Sequence, residues 1–589
     1  MKKCLSASLV TLLTVFTVSA AVEPLAALRV SSVEKLGSAT TQLCGAIGQP
    51  MLGGMATGML QQYIQTTIGP FDQTKPVAIV AYADPAKLED ALSKREEDKP
   101  IPTEGFNEVK AGLILPITMS GEEFARSKLL KLNAEGVAQL PGTPMFITFK
   151  GQTAFIASDS QTAQRLKIEA AHYQGTPANG DALSIEFFPP AIALYGNLLA
   201  KTKEVKKDGA VTPLQTAFMA FSSSSAALGK KQLAQFASVT LGLGFNQAKG
   251  LAIGWDTRYK PGTELAAVAA AAKPIKADLL ATVPESAQFC QLSSMKTPNL
   301  AASRKNWSNL TQFVQSLLDT TIAKKYPELS KAITENLDNS LKLAEKCEQT
   351  LTAFGYDKGS KFWFYGYVTT PPGEKDAMFQ SVLDENRKLA SAMATAFPGK
   401  QFLAFDAPSA TLTLDLAKLP FKELAEAGED GKKIDEKDLA ELEKKFQSVH
   451  QVLTGGQPLR MRFAKTEDGY KTIASCDGAA NLPKFTGNGK MAARAAKDAT
   501  QYAYLDLFTL AKNVLGELAP TFPENEKKKL DAILALIPAG GPESGLTICE
   551  KIRGGVSHNE FILPPSALQH LSGIIATVSQ GDDDDDDNK

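Results

Sequence analysis

Two acidic residues occupy matching places in this chain. Glu186, in SIEFFPPAIALYG, and Asp506, in YLDLFTLAKNVLG, each close a short alternating segment and precede an apolar helical one. Residue type for residue type, Ile185-Glu186-Phe187-Phe188 parallels Leu505-Asp506-Leu507-Phe508. Two carboxylates held roughly 5–10 Å apart can divide general acid and base work between them, the chemistry of a hydrolase. A plainer role suits them equally, because a carboxylate near a helix N-terminus interacts favourably with the helix dipole.

A second candidate is the aromatic run FWFYGYV. Its alternation puts Phe362 and Phe364 on one side, and Trp363, Tyr365 and Tyr367 on the other. Exposed, that row would stack on a sugar or hold a peptide. Covered by a helix, it is core. Trp363, Tyr365, Tyr367, Glu186 and Asp506 form the candidate ligand-binding set.

No catalytic residue, metal site or cofactor is assigned. Histidines are scarce: His172, His450, His558 and His570. There is no HExxH or GxSxG, and TGNGKM, ending at Met491, lacks the first glycine and the final Ser or Thr of a phosphate loop. Cys549 and His558, on the arms of the last predicted hairpin, share a face in one of its two registers only.

The glycines of SVTLGLGFNQAKGLAIGWDTRY raise a different question. Val239, Leu241, Leu243 and Phe245 alternate with Thr240, Gly242 and Gly244, which predicts a strand and then a hairpin. Dinucleotide-binding glycines open a helix, whereas these lie inside a strand. They predict a group packed closely over one face.

These residues must be positioned by strands and helices that recur in one order. Strand–helix blocks, a hairpin reaching Ile-Ala-Ser, and a final hairpin followed by an apolar helix appear early and again late. KPVAIVAYADPAKLEDAL parallels KFWFYGYVTTPPGEKDAMF in this scheme. The expectation is an α+β fold in two tandem copies, residues 21–273 and 274–579, each an antiparallel sheet packed against helices. The second copy carries the longer helical pair. MLGGMATGMLQQYI, from Met51, predicts a helix whose methionines fill a core or grip an apolar ligand.

The ends differ from the body. Lys2 and Lys3, an apolar run from Leu5 to Val18, and Val18-Ser19-Ala20 read as a secretory signal over residues 1–20. The run Asp582 to Asp587 makes residues 580–589 an acidic tail, expected to be disordered. Without the two signal lysines and this tail the formal charge of −1 moves close to neutrality, so nothing favours nucleic acid. No later apolar run reaches the length of a membrane span. In an oxidising compartment Cys44, Cys290, Cys347, Cys476 and Cys549 could pair, leaving one over.

The expected function is an extracytoplasmic, non-catalytic binding or scaffold protein. Its ligand is a small molecule, glycan or peptide, taken in the cleft between the copies. The alternative is a hydrolase using Glu186 and Asp506.

Overall fold

The computed structural model describes residues 22–93, 109–177, 181–200, 213–246, 249–321, 325–357, 361–420, 436–476, 495, 497–522, 524–537 and 545–581. The expected signal segment, the TGNGKM stretch and the acidic run from Asp582 lie outside them. The described chain is α+β, and the strands from Glu23 to Tyr259, like those from Phe289 to Arg553, pair antiparallel with one another.

Two compact units divide it. One holds the described residues within 1–204, 229–263 and 558–569; the other holds those within 205–228, 264–557 and 570–589. A single cut at Lys273–Pro274 therefore does not describe them, because residues 558–569 belong with the first unit.

The chain begins with β1 (Glu23–Val30), α1 (Val33–Ala46), α2 (Pro50–Thr67), β2 (Val77–Ala83) and α3 (Pro85–Ser93). There follow β3 (Val109–Pro116), α4 (Gly121–Ser127), β4 (Val137–Gln139), β5 (Phe146–Lys150), β6 (Thr153–Ala157) and α5 (Ser160–Tyr173). Then come β7 (Leu183–Phe187), α6 (Pro189–Ala200), α7 (Pro213–Leu233), β8 (Phe236–Asn246) and β9 (Gly250–Tyr259). Across the sheet the order is β4-β5-β6-β3-β2-β1-β7-β8-β9. Its middle strands are buried on both faces, which is why they are apolar at successive positions. Leu113, Leu115, Ala154 and Ile156 pack with Ile64, Ile68 and Phe124 on one face. Ile114, Phe155 and Ala157 pack with Leu166 and Ala170 of α5 on the other.

Local signals start these helices. Ser32 accepts from Lys35 N to cap α1, Ser120 and Glu123 form a capping box on α4, and Asp159 caps α5 through Thr162 N. Helices α1 and α2 approach closely at Gly53, where a Cβ would come 2.6 Å from Thr41 Cα. The methionines of α2 do not fill a core: Met51 is 79% exposed, and Met55 and Met59 are also exposed. Gly53 takes the side facing α1, Ile64 and Leu60 turn to the core, and Gly54, Gly58 and the three methionines are left facing solvent.

The second unit uses α8 (Glu264–Ala271), β10 (Phe289–Ser294), α9 (Pro298–Thr321), α10 (Pro327–Lys346), β11 (Gln349–Asp357), β12 (Lys361–Thr369) and α11 (Lys375–Ala396). It continues with β13 (Leu403–Asp406), β14 (Thr411–Leu414), α12 (Glu436–Thr454), β15 (Leu459–Lys465), β16 (Gly469–Ser475) and β17 (Gln501–Leu505). After α13 (Leu507–Leu518) and α14 (Glu524–Leu536) comes β18 (Leu546–Arg553). Its sheet order is β13-β14-β15-β16-β12-β11-β10-β17-β18. The chain closes with β19 (Val556–Leu563) and α15 (Pro565–Gly581), and β19 is hydrogen-bonded to β9.

The run β4-β5-β6-β3-β2-β1-β7-β8 in one unit and β14-β15-β16-β12-β11-β10-β17-β18 in the other follow the same path in chain order, β13 being the addition. By sheet position β12 answers to β3 and β11 to β2. The block KPVAIVAYA, which forms β2, thus holds the sheet position that β11 holds in the other unit, whereas FWFYGYV of β12 holds that of β3. Between the first two strands, α9 and α10 (24 and 20 residues) are longer than α1 and α2 (14 and 18).

Candidate functional site

The aromatic row lies in β12, between β11 and β16. Trp363 and Tyr365 are 2% and 3% exposed, packed with Cys290, Leu292, Leu351 and Tyr504. They offer no surface on which a sugar or peptide could stack. The Tyr365 hydroxyl lies 3.2 Å from Thr282 Oγ1, and the half-buried Tyr367 donates to Asp468 Oδ1 at 2.6 Å. Burial, then the Asp468 contact, pushes the Tyr367 phenol up to about 12. This row is structural, with its hydroxyls satisfied inside its own unit.

Asp506 is 5% exposed and caps α13. Its carboxylate accepts from Thr509 N at 3.0 Å and from Thr509 Oγ1 at 2.7 Å. Glu186 occupies a different kind of position. Asp506 N donates to Gln288 O and Asp506 O accepts from Leu510 N, the pattern of the residue before a helix. In the first unit Phe188 makes those bonds, to Leu25 O and from Ile192 N. Glu186 lies earlier, within β7, opposite Ala27. The match by residue type is slipped by two positions, a slip that preserves the side of a strand and so escapes notice in sequence.

What surrounds Glu186 is a polar cluster at one end of α5. Arg29, on β1, sits diagonally across from it, and Arg29 Nη2 reaches Glu186 Oε2 at 2.6 Å. The same guanidinium donates to Tyr173 O and His172 O, both at 3.1 Å. Those carbonyls end α5, where a cation is favoured. One turn back, Glu169 accepts from Arg165 Nε at 2.8 Å, from the Tyr173 hydroxyl at 2.7 Å and from the Tyr82 hydroxyl at 3.3 Å. Arg165 lies 4.9 Å from the centre of the Tyr82 ring. Burial pushes Glu169 up, but its bonds from Arg165 and Tyr173 outweigh this and hold it below the usual carboxylate range. Burial pushes Tyr173 up to about 12.

Pro24, Glu169, His172, Tyr173, Glu186 and Phe188 line a cleft of about 430 Å³ beside this cluster. Both of its carboxylates are paired with arginines, and its apolar walls are Pro24 and Phe188. The arrangement suits holding a ligand through hydrogen bonds and ring contact. Glu169, held below the usual carboxylate range by Arg165 and Tyr173, is a poor proton donor. The Arg165–Glu169–Tyr173 ladder was legible in sequence at helical spacing of four. The Arg29–Glu186 pair was not, since it joins residues far apart in the chain.

The hairpin glycines also find their explanation. Gly242 pairs with Gly254 across β8 and β9, and a Cβ at Gly242 would overlap the carboxylate of Asp181. A Cβ at Gly244 would come 3.2 Å from the same group. Asp181 is the closely packed group, and it is 8% exposed. His558 faces a carboxylate, its Nδ1 2.9 Å from Asp256 Oδ1.

Among the described residues no group of His, Cys, Asp and Glu is arranged to hold a metal ion, and no helix is long and apolar enough to cross a membrane. No disulfide joins Cys44, Cys290, Cys347, Cys476 or Cys549. Compared with family models, curated proteins and solved structures, the chain matches none of them.

Proposed function

We propose that this is an exported, non-catalytic binding or scaffold protein, built from two copies of one α+β unit. Its ligand is a small polar molecule, glycan or peptide, with the Glu186 cleft of the first unit as its site. The observation that carries the non-catalytic reading is the pairing of both cleft carboxylates, Glu186 with Arg29 and Glu169 with Arg165. The exposed Met51, Met55 and Met59 of α2 add an adaptable apolar surface suited to a scaffold. The common strand order of the two units supports duplication. The signal-like N-terminus supports export to the periplasm, cell surface or medium.

The test is a thermal-shift and calorimetric screen of the full chain against oligosaccharides and short peptides. His172→Ala removes an exposed wall of the cleft and should weaken any hit without unfolding the protein. Turnover of a glycoside or ester that is lost in Glu186→Gln would favour the hydrolase instead. N-terminal sequencing of the chain isolated from its host tests export, with Ala21 the expected first residue.

A further inference from the structure

Asp181 is 8% exposed, and its carboxylate lies against the β8–β9 glycines. Its backbone is held in place. Its carbonyl accepts from Ser31 Oγ, and the next residue is bonded on both sides, Ala182 N to Leu243 O and Ser31 N to Ala182 O. The glycine floor of β8 leaves room for the carboxyl, which a Cβ at Gly242 would overlap. Three elements present charge to it: Asp256 on β9, Glu560 on β19 and Lys35 on α1. His558, beside Glu560 on β19, lies against Asp256.

Strand β19 comes from the far end of the chain and is the last strand added beside β9. Their backbones approach closely through glycines. A Cβ at Gly250 would overlap Leu563 O, and one at Gly254 would lie 3.7 Å from Asn559 O. Asp181 Oδ2 and Asn559 O lie 4.0 Å and 3.7 Å from a Cβ at Gly254, which brings the carboxylate to the line where β9 meets β19.

We propose that the attachment of His558–Leu563 to β9 is a proton-dependent clasp, closed when Asp181 carries a proton and loosened when Asp181, Asp256 and Glu560 are all ionised. With Asp181 neutral, the repulsion from Asp256 and Glu560 vanishes. Lys35 offsets only part of the acidic charge. Burial, followed by Asp256 and Glu560, raises the Asp181 carboxyl to about 6. The change therefore falls in the mildly acidic range. An extracytoplasmic protein meets that range, and opening would bare the edge of β9 for another strand.

The test is hydrogen exchange followed by mass spectrometry on the full chain, from pH 4.5 to 7.5 and corrected for the intrinsic rate. Peptides covering 249–259 and 558–564 should lose about tenfold in protection as pH rises through 6, while those from β2 and β3 stay constant. A tenfold loss corresponds to one unit of linked proton affinity. Asp181→Asn should remove the step and keep the strands protected at pH 7.5. Glu560→Gln, on a half-buried residue, should shrink it and move it to lower pH. Flat protection in the wild-type chain, or an unchanged step in both variants, would overturn the proposal.

Discussion

Arg29 and Glu186 meet diagonally across β1 and β7, Nη2 to Oε2 at 2.6 Å, and the same guanidinium closes the C-terminal end of α5. One arginine thus ties a strand pair to a helix and fixes one wall of the cleft. Arg29→Ala should destabilise the protein by about 2–3 kcal/mol, because it strands a carboxylate and two helix carbonyls at once. Glu186→Ala should cost less. In urea melts the double variant should show a coupling of about 1–2 kcal/mol. Strict additivity would mean that the pair contributes nothing beyond its separate surroundings.

Asp506 acts on its helix through two bonds to Thr509. Asp506→Ala should lower stability by about 1 kcal/mol, and Asp506→Asn should restore most of that loss. Circular dichroism melts of the three proteins decide the matter. If a hydrolytic activity is found, Asp506→Asn leaving it intact would remove Asp506 from the chemistry.

Burial of Trp363 predicts a large effect of another kind. Trp363→Ala should cost about 3–5 kcal/mol through the cavity it leaves among Cys290, Leu292 and Tyr504. Ligand affinity, measured under conditions where the variant stays folded, should not change.

The Tyr367–Asp468 bond is open to a pH test. Burial raises Asp468, but its bonds from Tyr367 and Lys276 outweigh this and hold it below the ordinary value of 3.8. Its contribution is therefore present above that value and disappears as pH falls through the lower folded-state one. Tyr367→Phe should cost about 1–2 kcal/mol at pH 7, and the gap should narrow towards pH 2. Asp181 has the opposite sign: raised from 3.8 to about 6, it weakens the fold as pH climbs across that interval. Asp181→Asn should then be more stable than wild type at pH 7 and no better at pH 4, as read from denaturant midpoints.

Thiol labelling should be ordered by burial. Burial pushes the Cys290 thiol up to about 12, so it should resist iodoacetamide in the native protein. The half-buried Cys44 and Cys549 should react first, as peptide mapping would show. Early modification of Cys290 would contradict its place in the core.

The sequence by itself determined the α+β class, the β8–β9 hairpin and most helix starts, because alternation, helical spacing and capping residues act over a few neighbours. It also showed that the glycines of β8 answered to a close neighbour, though not that the neighbour was Asp181. Tertiary structure alone decided which side of each pattern met a core. The alternation of β12 allowed Trp363 and Tyr365 to be buried or bare, and packing between layers buried them. The methionines of α2 had the same freedom and were left outside, while Gly53 met α1 and Ile64 and Leu60 met the core. Pairings such as Arg29 with Glu186, or His558 with Asp256, depend on strand register and on which distant segment lies alongside. Nothing in the local chain carries that information, since a strand slipped by two residues keeps every side chain on its face while changing every partner.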